Sequence, residues 1–315
     1  MAQAALQAAR EGARTEIALT AQQKADWDNN GYLILPAFFG ADIIDPVNEL
    51  IVALSDPQKP KPDYSARVIV DLLNGAGASQ RMRLADAPAE AFRRPVKFND
   101  LFLETDVVRA CNMNPRLTAI LDELLEGAPV VCNSLNFIQG SEQTAHIDSW
   151  FMPPPVLHKM VVTSVCLEDV QIDAGPLFYY PGSHKIPPYR FSNGKVRAIP
   201  AEMPQCHHYV DGEIAQRGLK RETFIGRKGD VFIWASQLAH GGTPIANPSS
   251  TRRSLVTHYW RAQDMWRHKL GRWGEAYYFD RDHQPVPSDP VLERLAARAR
   301  LELRWGLRLL GGGRH

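Results

Sequence analysis

A histidine and an aspartate two residues apart form the first pair in this chain that could do chemistry. On an extended strand, the side chains of His146 and Asp148 would point to the same face and could reach one metal ion. The pair alone is weak evidence, because this spacing often arises by accident. His240 adds a second imidazole where the β-rich run KGDVFIWASQLAHGG ends in two glycines, which allow close approach of backbone and ligand. Two imidazoles and one carboxylate take one face of an octahedral iron(II) and leave room for a bidentate cosubstrate and dioxygen, as an oxygenase requires.

A cosubstrate with two carboxylates also needs a cation to hold its far end. Arginine is preferred, because its planar fork binds a carboxylate through two parallel hydrogen bonds. Arg252 and Arg253 follow His240 by 12 and 13 residues and open the run RRSLVTHYW. Strand alternation allows only one of them to point inward. We favour Arg252, which would share a face with Ser254, and Arg253 remains the alternative.

The elements that must position these residues differ between the first third of the chain and the remainder. Thr20 and Gln23 have the form of a capping box, which predicts a helix near residues 21–29. The apolar run GYLILPAFF then predicts a strand, and ADIIDPVNELIVALS predicts a helix. Residues 56–66 contain three prolines and predict a loop, whereas PRLTAILDELLEG predicts an amphipathic helix that ends at Gly127. We therefore expect a helical N-terminal third.

From Val130 the chain changes to short β-rich runs separated by Gly, Pro, Asn and Asp. This pattern is typical of an antiparallel sandwich or jelly roll, and we place that core at about residues 130–262. The polar stretch at about residues 185–227 is too long for a hairpin and predicts an insertion or lid. A basic helical tail is expected at about residues 290–310. We interpret residues 1–315 as a single domain, because β-sandwiches of this size often form one unit.

Composition limits the partners and the compartment. Lys plus Arg total 36 against 35 acids, a formal charge of +1, so charge gives no reason to expect nucleic acid or an anionic membrane as partner. The four cysteines lie far apart without a C-x-x-C pair, which is consistent with a reducing cytoplasm. No signal peptide or membrane span is visible. We expect a cytoplasmic protein with a small-molecule substrate, and the leucine spacing of the C-terminal helix makes a homo-oligomer possible.

Several pieces of the sequence occur together in one known family. The chain resembles the phytanoyl-CoA dioxygenase family of iron(II)- and 2-oxoglutarate-dependent oxygenases, over about residues 26–260. The matching pieces, in the family's order, are DNNGYLILPAFF, HIDSW, GPLFYYPGSHK, KGDVFIW, and HGG followed by NPSSTRRSL. The resemblance implies a double-stranded β-helix, a cupin-like jelly roll with helices packed outside it. It also implies Fe(II), 2-oxoglutarate and O2 as cofactor and cosubstrates.

The same resemblance assigns roles to individual residues. It makes His146, Asp148 and His240 the iron ligands and Arg252 with Ser254 the carboxylate clamp for 2-oxoglutarate, and Asn133 a further contact to that cosubstrate. The segment from Asn247 to the arginines is one residue shorter than usual, which keeps Arg253 open as the clamp. The implied reaction releases succinate and carbon dioxide while an unactivated C–H bond of a small organic substrate is hydroxylated or otherwise oxidised, in catabolism or natural-product biosynthesis. Asp148 disfavours halogenation, because related halogenases have a small residue there.

The sequence leaves other interpretations open. One alternative function is a cupin-like, metal-dependent protein that binds or isomerises a small molecule without turnover of 2-oxoglutarate. The aromatic and apolar residues after Asp148 could line a substrate pocket or pack in the core, and the cations of the 185–227 stretch could bind an anionic substrate or face solvent. We assign no metal to His184, His207, His208 or His258.

Overall fold

The computed structural model describes residues 19–61, 67–74, 77–93 and 95–281, with side chains placed for all of these except residue 74 and residues 77–79. The basic helical tail that we predict at about residues 290–310 lies outside the described residues, as does part of the predicted loop at 56–66. The division of the chain into one domain with an insertion and a tail stays a prediction.

Five α-helices occur in the described part of the chain. They are α1 (Ala21–Asn30), α2 (Ala41–Ser55), α3 (Asp106–Asn112), α4 (Pro115–Leu125) and α5 (Met203–Gln216). The predicted capping box is confirmed, since the Thr20 side chain accepts from the Gln23 amide and the Gln23 side chain accepts from the Thr20 amide. Helix α4 begins with Asn114 as its N-cap and Pro115 in its first turn, and it ends where Glu126 adopts a left-handed conformation.

Thirteen strands are described, and each is short. They are β1 (Tyr32–Leu35), β2 (Ile69–Asn74), β3 (Gly77–Arg83), β4 (Val96–Asn99), β5 (Pro129–Phe137), β6 (Met160–Cys166), β7 (Leu177–Tyr179), β8 (Glu222–Phe224), β9 (Val231–Ala235), β10 (His240–Gly242), β11 (Ser254–Arg261), β12 (Leu270–Trp273) and β13 (Ala276–Phe279).

Two sheets face each other. Within the described residues, the larger sheet has the strand order β1-β9-β6-β11-β5-β4-β2-β3, with β13 joining β5 in parallel and β12 pairing with β13. The smaller sheet has the order β10-β7-β8. A mainly β protein of two facing, mostly antiparallel sheets with helices outside them confirms the predicted double-stranded β-helix.

The apolar residues of the larger sheet divide between its two faces. Leu255 and Tyr259 of β11 point outward, into a core that includes Ile44 and Ile51 of α2 and Leu121 of α4. Val256 of the same strand points inward, where the cluster includes residues of β7, β8 and β9. Because side chains alternate along a strand, Ser254 and His258 share the inward face with Val256. The buried Arg252 lies two residues before the start of this strand.

The first third of the chain is less helical than predicted. Strands β2, β3 and β4 lie within residues 69–99 and extend the larger sheet beyond β5, so the sheet is not confined to residues 130–262. A buried carboxylate in the middle of β2 hides the strand pattern: Asp71 is inaccessible to solvent and pairs with Arg81 and Lys97 of the adjacent strands. Such a polar residue is stable in a sheet only because cross-strand cations compensate its charge.

The predicted insertion at about residues 185–227 forms ordered structure, and its end supplies β8 of the smaller sheet. Helix α5 packs through Cys206, Val210 and Ile214 into a cluster that also contains Ile147 and Trp150. The amide of Ala198 donates to the carbonyl of Trp150 at 2.8 Å. The stretch therefore packs against the segment that carries Asp148. None of the helices described is long and apolar enough to cross a membrane.

Candidate metal centre

The main chains of the two predicted histidine ligands are hydrogen-bonded to each other. The amide of His146 donates to the carbonyl of His240 at 2.8 Å, and the amide of His240 donates back at 3.1 Å. The glycines after His240 make this approach possible, because a Cβ on Gly241 would lie 2.5 Å from the carbonyl oxygen of Gln143. Residues nearly a hundred positions apart are thus joined by their backbones.

Asp148 reaches the site by a different route from the one predicted. His146 forms only an isolated bridge, Ile147 is extended, and Asp148 begins a 3-10 turn that runs to Trp150. The alternation expected for a continuous strand therefore ends at the aspartate. The turn is held by Gln237, which follows β9 and donates a hydrogen bond to the hydroxyl of Ser149. The side chains of His146 and Asp148 still point to the same side, because the single residue between them, Ile147, has an extended backbone.

The three predicted ligands converge in space. Asp148 Oδ1 lies 3.7 Å from Nε2 of His146 and 3.6 Å from Nε2 of His240. One ligand atom from each of the three lies within 4.8 Å of the others, and all three residues are buried. Donors at right angles around one ion, with bonds of roughly 2.0–2.2 Å, lie about 3 Å apart. Small side-chain rotations would bring the ligand atoms from their present separations, up to 4.8 Å, to about 3 Å. The three residues therefore fit a metal ion.

The hydrogen bonds behind the imidazoles fix their tautomers. Nδ1 of His146 lies 3.0 Å from the Thr144 carbonyl, and Nδ1 of His240 lies 2.9 Å from the Leu238 carbonyl. A carbonyl oxygen only accepts, so each Nδ1 carries the proton and each Nε2 presents its lone pair to the site. Burial, followed by the neighbouring His240, lowers the pKa of His146 to about 4. This imidazole is therefore neutral at pH 7 and can bind a cation without first losing a proton.

The carboxylate of Asp148 is held in its ionised form. Burial alone would raise its pKa, but the imidazoles of His240, His258 and His146 together keep the pKa well below its usual range. Its second oxygen, Oδ2, accepts a hydrogen bond of 2.8 Å from Nε1 of Trp234. A buried carboxylate with one oxygen facing two imidazoles has the charge and the lone pairs that a divalent cation needs.

A third imidazole lies beside this carboxylate. His258 is buried, and its Nε2 is 3.7 Å from Asp148 Oδ1. Its Nδ1 is buried with no hydrogen-bond partner in the described structure. His258 is not in the group of three whose ligand atoms all lie close together. Sequence reasoning gave it no role, although its parity with Ser254 along β11 could have placed it on the inner face.

The two candidate arginines have different surroundings. The guanidinium of Arg253 is paired with Glu168, with Nε donating at 2.8 Å and the main-chain amide at 2.6 Å. Arg252 is buried, and its Nε has no acceptor within the described residues. Burial lowers the pKa of Arg252 to about 10, so the side chain stays charged at pH 7. The buried hydroxyl of Ser254 also lacks a partner in the described structure. An uncompensated buried cation beside an unpaired hydroxyl fits a carboxylate ligand.

Asn133 and the residues after Asp148 occupy distinct environments. Asn133 lies opposite His258 in the β5–β11 register, and its side-chain amide donates to Asp100 at 2.8 Å. Its contact to a cosubstrate stays a prediction. Trp150 is buried in the core, whereas Phe151 is 51% exposed with its ring centroid 5.9 Å from that of His146. Of these two aromatic residues, Phe151 is the one that an incoming molecule could contact.

Comparison with known proteins identifies the family of this chain. The family model for phytanoyl-CoA dioxygenase (PhyH) matches residues 27–254, which is well over half of the sequence. The chain belongs to the phytanoyl-CoA dioxygenase family. This match confirms the resemblance inferred from the motifs. No curated protein sequence matches this member of the family.

Solved structures share the fold of this phytanoyl-CoA dioxygenase family member at low sequence identity. The non-heme alpha-ketoglutarate-dependent carbocyclase SnoK from nogalamycin biosynthesis is 15% identical with a TM-score of 0.56, over 78% of this chain and 85% of SnoK. EctD from S. alaskensis, solved with 2-oxoglutarate and 5-hydroxyectoine, is 16% identical with a TM-score of 0.54, over 86% of each chain. The epimerase SnoN from the nogalamycin pathway is 18% identical with a TM-score of 0.52, over 82% of this chain and 98% of SnoN.

Proposed function

We propose that this chain is a non-haem Fe(II)- and 2-oxoglutarate-dependent dioxygenase that hydroxylates or otherwise oxidises an unactivated C–H bond of a small organic substrate. One observation carries the proposal: His146, Asp148 and His240 bring ligand atoms within 4.8 Å of one another, and the protein also has a buried arginine, Arg252, whose Nε has no acceptor within the described residues. The chemistry of the family and the 2-oxoglutarate in the EctD structure support the same function.

His146, Asp148 and His240 would hold the iron. Together they offer two neutral nitrogens and one negative oxygen, a donor set that suits iron(II) and leaves half of an octahedron open. When bound there, iron and 2-oxoglutarate supply the activation of dioxygen, with release of succinate and carbon dioxide. The protein's own contribution is a set of buried donors whose orientation is fixed by hydrogen bonds to Thr144, Leu238 and Trp234.

Arg252 and Ser254 would bind the far carboxylate of 2-oxoglutarate. The guanidinium fork can donate two parallel hydrogen bonds to a carboxylate, and the hydroxyl can add a third. Arg253 is a poorer candidate, because Glu168 already accepts from it. A carboxylate bound at Arg252 would also remove the cost of a buried, uncompensated charge, which favours binding of a dianion over a neutral molecule.

A second candidate function is a cupin-like, metal-dependent protein that binds or isomerises a small molecule without consuming 2-oxoglutarate. His258 is the observation that favours it, because a further imidazole beside Asp148 could complete a site with more nitrogen donors. The unpaired Arg252 argues against it, since such a protein needs no carboxylate clamp.

Succinate formation separates the two functions. Metal-free protein is incubated under air with Fe(II), ascorbate and 2-oxoglutarate, and succinate is measured over several hours. We expect slow, iron-dependent succinate release that His146→Ala, Asp148→Ala and His240→Ala abolish. Complete absence of succinate, together with no binding of 2-oxoglutarate to the metal-loaded protein, would instead support the cupin-like function.

A further inference from the structure

The two oxygens of Asp148 face different groups. Oδ1 faces the Nε2 atoms of His146 and His240, at 3.7 and 3.6 Å. Oδ2 accepts a hydrogen bond of 2.8 Å from the indole of Trp234, and both groups are buried. One oxygen is therefore directed to the candidate ion, while the other is engaged by the protein.

This division matters because a carboxylate can bind a cation through one oxygen or through both. Binding through both would use one of the positions that a bidentate cosubstrate and dioxygen require. An indole N–H is a donor only, and a buried donor needs an acceptor. If Oδ2 turned toward the ion, the Trp234 N–H would lose its partner, which costs roughly 1–3 kcal/mol for a buried group.

Trp234 is itself firmly held. It lies within β9, where it pairs with Tyr32 of β1 on one side and Val162 of β6 on the other. The side chain is 1% exposed, and its ring packs 5.0 Å from the ring of His240 and 5.6 Å from that of Phe232. The indole therefore contacts two of the three candidate ligands and is almost completely buried.

We propose that Trp234 is a positioning residue that keeps Asp148 bound to the metal through one oxygen, and so keeps a coordination position open for the cosubstrate. This inference deepens the proposed function and rests on it. No substrate or cosubstrate contact is assigned to the indole, since it acts through Asp148 and His240.

Cobalt(II) binding tests this role without any need for turnover. The metal-free wild type, Trp234→Phe and Trp260→Phe are titrated with Co(II), the visible absorption is recorded, and 2-oxoglutarate binding to each cobalt-loaded protein is measured by calorimetry. Trp260→Phe is the matched control, because its indole donates to the Met160 sulfur rather than to a ligand. We expect Trp234→Phe to bind Co(II) about 10- to 100-fold more weakly, with a changed spectrum and weaker 2-oxoglutarate binding, while the control matches the wild type.

Two other outcomes of the cobalt titration would contradict the inference. A folded Trp234→Phe protein with wild-type cobalt affinity and spectrum would overturn the inference and leave the proposed function intact. A wild type that binds neither Co(II) nor Fe(II) would overturn both. If circular dichroism shows that Trp234→Phe does not fold, Trp234 is replaced by 3-benzothienylalanine, which keeps the shape and removes only the donor. The same changes in affinity and spectrum are expected, and their absence overturns the inference.

Discussion

Arg252 and Arg253 show how far a sequence determines the role of a single side chain. Strand alternation predicts that only one of these adjacent arginines points inward, but which of them does so depends on where β11 enters the sheet. The structure adds what the pattern lacks, because Glu168 lies far away in sequence and pairs with Arg253. His258 was overlooked for a similar reason: its proximity to Asp148 arises from the crossing of distant segments.

Substitution of Arg252 should weaken 2-oxoglutarate binding, whereas substitution of Arg253 should leave it nearly unchanged. Arg252→Ala should weaken 2-oxoglutarate binding to the metal-loaded protein by about 10- to 100-fold, since charge-assisted hydrogen bonds contribute roughly 1.5–3 kcal/mol. Arg253→Ala should change that affinity by less than about threefold, because it loses only a partly exposed ion pair. Calorimetric titration with 2-oxoglutarate measures both. The opposite ranking would assign the clamp to Arg253.

Individual elements were predicted best where the local signal is strong. Helices α1, α2 and α4 have capping residues or apolar stripes that need no tertiary context. Strands β2 to β4 were missed, because the buried Asp71 and its cross-strand cations interrupt the apolar pattern. The sequence predicts a strand through His146 and Asp148, whereas Asp148 begins a 3-10 turn. The i and i+2 side chains can share a face in either case. The turn's hydrogen bond from Gln237 comes from a residue that local patterns do not connect to it.

The contact between β10 and the segment that carries His146 depends on glycine. A Cβ on Gly241 would lie 2.5 Å from the Gln143 carbonyl and 2.6 Å from the Phe178 ring. We expect Gly241→Ala to lower the free energy of unfolding by about 1–3 kcal/mol through overpacking and to weaken Co(II) binding. Thermal melts and cobalt titrations measure the two effects.

Gly212→Ala is the control for this substitution. Gly212 lies within α5, and an added Cβ would meet no atom within 4 Å. Alanine there should leave cobalt binding unchanged and stabilise the helix by about 0.5–1 kcal/mol. Equal effects of the two substitutions on cobalt binding would show that the close approach at Gly241 is unimportant for the site.

At the scale of the described structure, the cysteine thiols are buried between helices and sheets that come from distant parts of the chain. All four cysteines are buried and free of disulfides. Burial raises the pKa of Cys111, Cys166 and Cys206 to about 12 and also raises that of Cys132. The absence of a metal-binding cysteine pattern was evident from spacing, whereas burial of every thiol depends on how helices and sheets stack.

The native protein should therefore resist thiol reagents. A raised pKa leaves almost no thiolate at pH 8, and burial also excludes the reagent. We expect no rapid reaction with Ellman's reagent in buffer and release of four equivalents of chromophore in 6 M guanidinium chloride, roughly a fully unfolding concentration. Rapid modification of any cysteine in the folded state would contradict the burial seen here.

The paired amides of His146 and His240 have a consequence for motion. Their two hydrogen bonds link a segment near the start of the β-rich region to one near its end, so any event that parts these segments must break both bonds. Deuterium uptake at these two amides would then report how often the centre opens, and an ion bridging the imidazoles above them should slow that uptake. The rate of deuterium uptake at these two amides would therefore limit how fast a bound metal could exchange with solvent by this opening.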